Sequence, residues 1–166
     1  MELSRKLSPP VTLFYSYAPE DEDLQQQLEH HLSLLRRQGL ITDWHPRKIS
    51  PGDDWIHAVN QKLQTASIIL LLVSPAFIAS DYCYGNEMYQ ALTRHMASEA
   101  LVIPILLRPV DWETAPFAHL QCLPRNRRFI DNTPNRDDVL AETVKELRLL
   151  IQVACGIASP QSPSSV

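Results

Sequence analysis

Glycine is scarce in this chain. Only Gly39, Gly52, Gly85 and Gly156 occur in 166 residues. Neither GxGxxG nor GxxxxGK(S/T) can be written with them, so the usual glycine-rich phosphate cradles are excluded. No GxSxG occurs, which removes the nucleophile elbow of a serine hydrolase. Cysteine is as sparse. Cys83, Cys122 and Cys155 are odd in number, far apart, and form no CxxC pair. That pattern argues against a zinc site or disulfide framework and fits a reducing cytoplasm. His30 and His31 are neighbours on a predicted helix, where their rings face apart, a poor metal site. Positive charge is not in excess: the formal net charge of -4 offers no field for nucleic acid or anionic lipid. Apolar runs such as Ile68 to Val73 fall far short of the roughly 20 residues of a membrane span. The start, MELSRKLSPP, has no apolar h-region of a secretory signal. A cytoplasmic protein with no nucleic-acid or membrane partner is expected.

What is present is an alternation of strands and helices in a chain of single-domain length, 45% hydrophobic. Val11 to Tyr17 reads as a strand. Pro19 with Glu20, Asp21, Glu22 and Asp23 reads as a helix start, because proline suits the first position and acids suit the positive end of the dipole. Leu24, Leu28, Leu32 and Leu35 form its apolar stripe, and Gly39 closes it. Leu40 to Trp44 is a short strand and His45 to Asp53 a loop. Asp53 or Asp54 caps a helix with Trp55, Val59, Leu63 and Ala66 inward. Ser67 to Val73 is apolar almost throughout, the pattern of a strand covered on both faces. Ser80 or Asp81 caps a helix reaching Ser98. Leu101 to Leu107 is a fourth strand and Arg127 to Ile130 a fifth. Asn135 caps the last helix.

This alternation predicts an α/β fold: a flavodoxin-like, doubly wound, five-stranded parallel sheet of order 2-1-3-4-5 with helices on both faces. Residues 1–10 read as an N-terminal extension, 11–153 as the domain, and 154–166 as a disordered tail or the start of a linker. Ligands in such sheets bind at the carboxyl ends of the strands, at the switch point between strands 1 and 3. That gathers Ser16 to Glu20, the loop Pro46 to Asp53, and Ser74 to Glu87. A phospho-receiver shares the fold, but strand 3 ends in Ser74 rather than aspartate and no lysine follows strand 5 before Lys145.

Glu87 is the carboxylate in that cleft. Most helix glutamates are solvated surface groups. Glu87 differs: Gln90 and Ala91 stand at i+3 and i+4, so no ion pair accounts for it, and it borders Met88 on the apolar face. A lone carboxylate suffices where the leaving group needs no proton. Oxidised nicotinamide dinucleotide is such a substrate, because its ring nitrogen is cationic until the bond to ribose breaks. The transition state is then oxocarbenium-like, and a carboxylate beside it stabilises the charge or holds the ribose hydroxyls.

Three motifs resemble those of the Toll/interleukin receptor (TIR) domain family, in its bacterial form. Leu13-Phe14-Tyr15-Ser16-Tyr17 with Glu20-Asp21 resembles the first, a strand ending in Ser-Tyr before an acidic helix start. Trp44 to Trp55, with Pro51-Gly52, resembles the mobile "BB" loop. Ser74-Pro75-Ala76-Phe77, then Ser80-Asp81-Tyr82-Cys83 and Glu87, resembles the third. The likeness spans Val11 to Ile151. It implies NAD+ cleavage to nicotinamide and ADP-ribose or a cyclised ADP-ribose, with Glu87 catalytic, NAD+ a consumed substrate, and no separate cofactor. It also implies homotypic TIR–TIR assembly, here through loop 45–53, and a role in bacterial signalling, defence or virulence.

The family commonly places an aromatic four residues before the glutamate. Here Cys83 holds that place, flanked by Tyr82 and Tyr84, as though one residue were inserted before Glu87. Candidate substrate contacts are Phe14, Tyr15, Ser16, Trp44, Arg47, Lys48, Ser74, Tyr82 and Tyr84. Phe14 alternates with core residues and either packs or lines the cleft. Trp44 either packs or stacks on nicotinamide or adenine. Arg47 and Lys48 either meet a pyrophosphate or are solvated loop cations. Ser74 either donates to the ligand or stops its strand, and Trp55 packs its helix. Two other readings stand beside the enzyme. One is a scaffold that docks other TIR domains with Ile49 and Pro51 exposed; the other is an unrelated flavodoxin-like binding module.

Overall fold

The computed structural model describes residues 6–132 and 134–157. Strands β1 (Val11–Ser16), β2 (Ile41–Trp44), β3 (Ile68–Val73) and β4 (Leu101–Leu106) form a parallel sheet of order β2-β1-β3-β4. All six residues of β3 are buried, because helices cover both faces of the central strands. Helices α1 (Glu22–His31), α2 (Ser33–Arg37) and α6 (Arg136–Cys155) cover one face. Helices α3 (Trp55–Thr65), α4 (Pro75–Ala79) and α5 (Met88–Met96) cover the other.

The period of two along each strand sorts side chains between two cores. Leu13, Tyr15, Ile68, Leu70 and Leu72 join Leu24, Leu28, Leu32 and Leu35 of the first helical stretch, with Val144 and Leu147 of α6. Phe14, Ile69, Leu71 and Val73 join Val59 and Leu63 of α3, with Met88 and Ala91 of α5. The crossovers leave β1 toward one face and β3 toward the other, so the crevice opens at the carboxyl ends of these neighbours.

Several expectations need correction. Four strands are seen, not five: among the described residues Arg127 to Ile130 forms no strand, a 3-10 turn begins at Ile130, and beyond β4 there is an isolated parallel bridge, Ile105 to Leu123. Leu123 donates its N–H to the Pro104 carbonyl at 2.9 Å and accepts from the Leu106 N–H at 3.2 Å, but the next N–H in register, that of Arg125, goes to the Glu146 carboxylate at 3.0 Å instead of extending the ladder. The first helix is divided at Leu32, after a 3-10 turn at Pro19–Asp21. The helix expected from Ser80 to Ser98 is preceded by the separate α4, begins with a π-helical turn at Cys83–Glu87, and continues as α5. Asn135 stands at the start of α6, but its amide donates to Asp138 at 2.6 Å instead of capping the backbone. Asp54 does cap α3, accepting from the His57 N–H at 3.1 Å. Residues 1–5 of the expected extension and 158–166 of the expected tail lie outside the described residues. Among the described residues no helix is long and apolar enough to cross a membrane.

Leu70 is fully buried at the centre of the sheet. Leu70→Ala should cost about 2–5 kcal/mol, read as a lower urea midpoint with an unchanged slope.

Candidate functional site

Two serines end adjacent strands, and each reaches across to an acid carried by the other strand's connection. Ser16, the last residue of β1, donates from Oγ to Glu87 Oε1 at 2.7 Å, in the segment after β3. Ser74, just after β3, donates to the carboxylate of Asp21, in the segment after β1. Ser74 also caps α4, accepting from the Phe77 N–H at 3.0 Å. These crossed bonds close the switch point.

The two acids differ in their counter-charge. Arg108 lies 3.2 Å from Asp21 and forms an ion pair with it. Among the described residues no cation pairs with Glu87, which is 3% exposed. Burial therefore dominates: it pushes the Glu87 carboxyl from its ordinary value near 4.5 up to about 7, with the Ser16 hydrogen bond pulling the other way. Asp21 is also raised, by burial first, against the Ser74 bond and Arg108.

Around Glu87 the wall is aromatic. Phe14 lies two residues before Ser16 and on the same face of β1; it stacks on Trp44 with centroids 5.7 Å apart at 13°. Tyr82 stacks obliquely on Trp55, centroids 5.2 Å apart at 47°. The π turn explains the irregular spacing. Glu87 N–H donates to the Tyr82 carbonyl at 2.9 Å, an i to i+5 bond that absorbs one extra residue. Tyr82 is thereby set one turn from Glu87 on the helix wall. Cys83 is turned inward, its thiol donating to the Tyr17 carbonyl at 3.4 Å, and burial pushes that thiol up to about 12.

The other expected contacts are placed elsewhere. Tyr15 points to the opposite face of β1, where its hydroxyl donates to Asp43 at 2.7 Å beside Arg36. Arg47 is held on α1 by Glu22 at 3.0 Å and Glu29 at 2.6 Å. Lys48 donates to the Asp43 carbonyl at 2.6 Å. Tyr84 leans edge-on against the exposed Tyr89. Ile49, expected as an exposed contact, is half-buried on the Phe14 side, since an apolar side chain gains by covering that core; Pro51 is exposed. Trp55 is 43% exposed at the rim instead of packed inward. Sequence reasoning missed Asp21 as a buried acid, because acids at a helix start are usually solvated. It missed Arg108 altogether, and nothing local signals it.

The sequence matches the TIR domain family over residues 13–147. This chain belongs to that family. An uncharacterized protein of Sinorhizobium fredii (strain NBRC 101917 / NGR234) is 47% identical over 137 residues, 82% of this chain. The chain spans 42% of that relative's length. Among solved structures, the TIR domain of the Toll-related receptor TRR-2 from Hydra magnipapillata superposes with a TM-score of 0.61 at 20% identity, covering 84% of this chain and 97% of that one. The TIR domains of the activated Roq1 resistosome, which directly recognizes the pathogen effector XopQ, match at 0.51 and 18% identity, with coverage of 94% and 92%. These likenesses show the fold.

The TIR domain also has a cavity of about 820 Å³ away from Glu87. It runs beside Val102 and Leu123, between His95 on α5 and Glu146 and Val153 on α6. It lies along the outer edge of β4, where the fifth strand was expected. The two raised acids, Glu87 and Asp21, stand at the switch point and not in this groove.

The raised Glu87 makes the TIR domain's stability depend on pH. The folded state holds this proton more tightly than the unfolded state, so the Glu87 contribution to stability is greatest below about 4.5, falls as pH rises, and levels off above about 7. Across that window the loss is about 3 kcal/mol. Glu87→Gln removes it. The mutant should gain on the wild type between pH 4.5 and pH 8 by roughly that amount, measured by denaturant unfolding at both ends.

Proposed function

We propose that this TIR domain is an NAD+ glycohydrolase with Glu87 as the catalytic residue, the functional unit spanning residues 11–153. One observation carries the reading: a single buried carboxylate without a cation stands at the carboxyl ends of β1 and β3, held by Ser16 at 2.7 Å. The reaction breaks the bond between ribose C1′ and the pyridinium nitrogen. The bonding pair goes to that nitrogen and leaves as neutral nicotinamide, so no general acid is required. Ionised Glu87 stabilises the oxocarbenium charge or holds the ribose hydroxyls. Water then adds at C1′ and releases a proton, giving ADP-ribose; attack by an adenine nitrogen of the same molecule gives the cyclised product instead. Trp44, backed by the fully buried Phe14 on which it stacks, supplies a ring face; Phe14 itself is core. Tyr15, Arg47 and Lys48 face the α1 side and take no part in this arrangement.

A second reading is a scaffold working by self-association or by docking other TIR domains. The 3% exposure of Glu87 favours it, because a closed acid serves no substrate. The two readings meet if assembly through loop 45–53 opens the cleft. One solved relative is the TIR domains of a resistosome, which supports looking for assembly here.

The test is nicotinamide release by concentrated protein, followed by chromatography. Wild type should release the base, and Glu87→Gln should lower the rate by about 10²–10³-fold. Undiminished release by the mutant removes Glu87 from its role. No release by wild type, even when forced to cluster, favours the scaffold. The rate should rise with pH through about 7 as Glu87 ionises. Ser16→Ala should move that rise to higher pH, because the lost hydrogen bond had favoured the charged form.

A further inference from the structure

We propose that the phenol of Tyr82 recognises the leaving base, donating a hydrogen bond to the carboxamide oxygen of the nicotinamide ring. This rests on the NAD+ reading above and assigns a specificity-determining atom within it.

The first support is placement. At ordinary α-helical spacing a residue five before Glu87 would be turned about 140° away from it. The π turn, with Glu87 N–H bonded to the Tyr82 carbonyl at 2.9 Å, sets Tyr82 one turn from Glu87 instead. The second support is an unmade bond. The Tyr82 hydroxyl is buried and has no hydrogen-bond partner among the described residues. Buried phenols usually find an acceptor, so an orphan beside a candidate site points to a group the ligand brings. The hydroxyl does not bond Glu87; burial first, and the Glu87 charge after it, raise the Tyr82 phenol and keep it a donor. The third support is rigidity. Trp55 lies 5.2 Å from the Tyr82 ring and holds it at the rim.

The chemistry then selects the acceptor. Glu87 is an acceptor when ionised and suits the ribose hydroxyls. Ser16 is already engaged with Glu87. Tyr82 is a buried donor without a partner among the described residues, and the carboxamide carbonyl is the acceptor on the leaving base, which Glu87, itself an acceptor, cannot serve. As the bonding pair moves onto the ring nitrogen, the ring turns from cation to neutral and its carbonyl oxygen becomes more basic. The hydrogen bond therefore strengthens toward the transition state. Tyr84, leaning on Tyr89, is not aimed for this role.

The experiment compares NAD+ with its thionicotinamide analogue, whose sulfur is a weaker acceptor, in wild type and Tyr82→Phe. The ratio of kcat/KM for the two substrates should fall by about tenfold in Tyr82→Phe. The mutant's thermal midpoint should not fall, because the lost hydroxyl had no partner. A ratio equal to wild type, or equal losses on both substrates with a lower midpoint, overturns the proposal. Binding separates this outcome from failure of the glycohydrolase reading. NAD+ affinity is measured by tryptophan fluorescence in Glu87→Gln and in Glu87→Gln with Tyr82→Phe. If wild type is inert but the second substitution weakens binding about tenfold, the phenol assignment stands and the hydrolase falls. Equal binding by both, or none by either, overturns the assignment.

Discussion

A carboxyl held out of water needs a partner, and the Ser16 hydroxyl is the side-chain partner of Glu87, at 2.7 Å. The bond demands that β1 end at the right height, that β3 lie next to β1, and that the chain after β3 return across the crevice. The companion bond from Ser74 to Asp21 makes the same demand in reverse. Together they stitch the two connections that diverge from the switch point. The difference lies in charge. Asp21 has Arg108, whereas Glu87 has only a hydroxyl and low-dielectric surroundings. One acid is neutralised as part of the framework; the other is left poised.

The period of two along β1 divides framework from chemistry. On one face Tyr15 joins Asp43 and Arg36, while Arg47 is gripped by the α1 acids. These charged and hydroxyl groups answer one another, so that side fastens β2 and its loop to α1. On the other face Phe14 and Ser16 stand beside Trp44 and Glu87, where aromatic rings surround a single acid. The opposing fates of Tyr15 and Ser16, adjacent in sequence, follow from the pleat alone.

Much of the fold was legible because it is written in local pattern. The apolar run of β3, the leucine stripe before Gly39 and the Asp54 cap each depend on residues a few positions apart. The fifth strand failed for a reason that is not local: the Arg125 N–H that would extend the ladder after Leu123 goes to Glu146, 21 positions on. The π turn was half visible, since the displaced aromatic spacing before Glu87 showed as one residue too many. Its consequence, Tyr82 beside Glu87 and Cys83 turned to the Tyr17 carbonyl, needed the backbone path.

The sequence by itself determined where strands and helices alternate, that the sheet is parallel and covered on both faces, and that Glu87 belongs to the segment leaving β3. Those follow from periodicity and from the short reach of caps and turns. Only the tertiary structure decided that Glu87 is buried without a cation, that Ser16 holds it, and that Asp21 goes to Ser74 and Arg108. These partners lie 71, 53 and 87 positions apart in the chain. Strand order and helix packing bring them together, and no local pattern records which distant side chain will answer a buried charge.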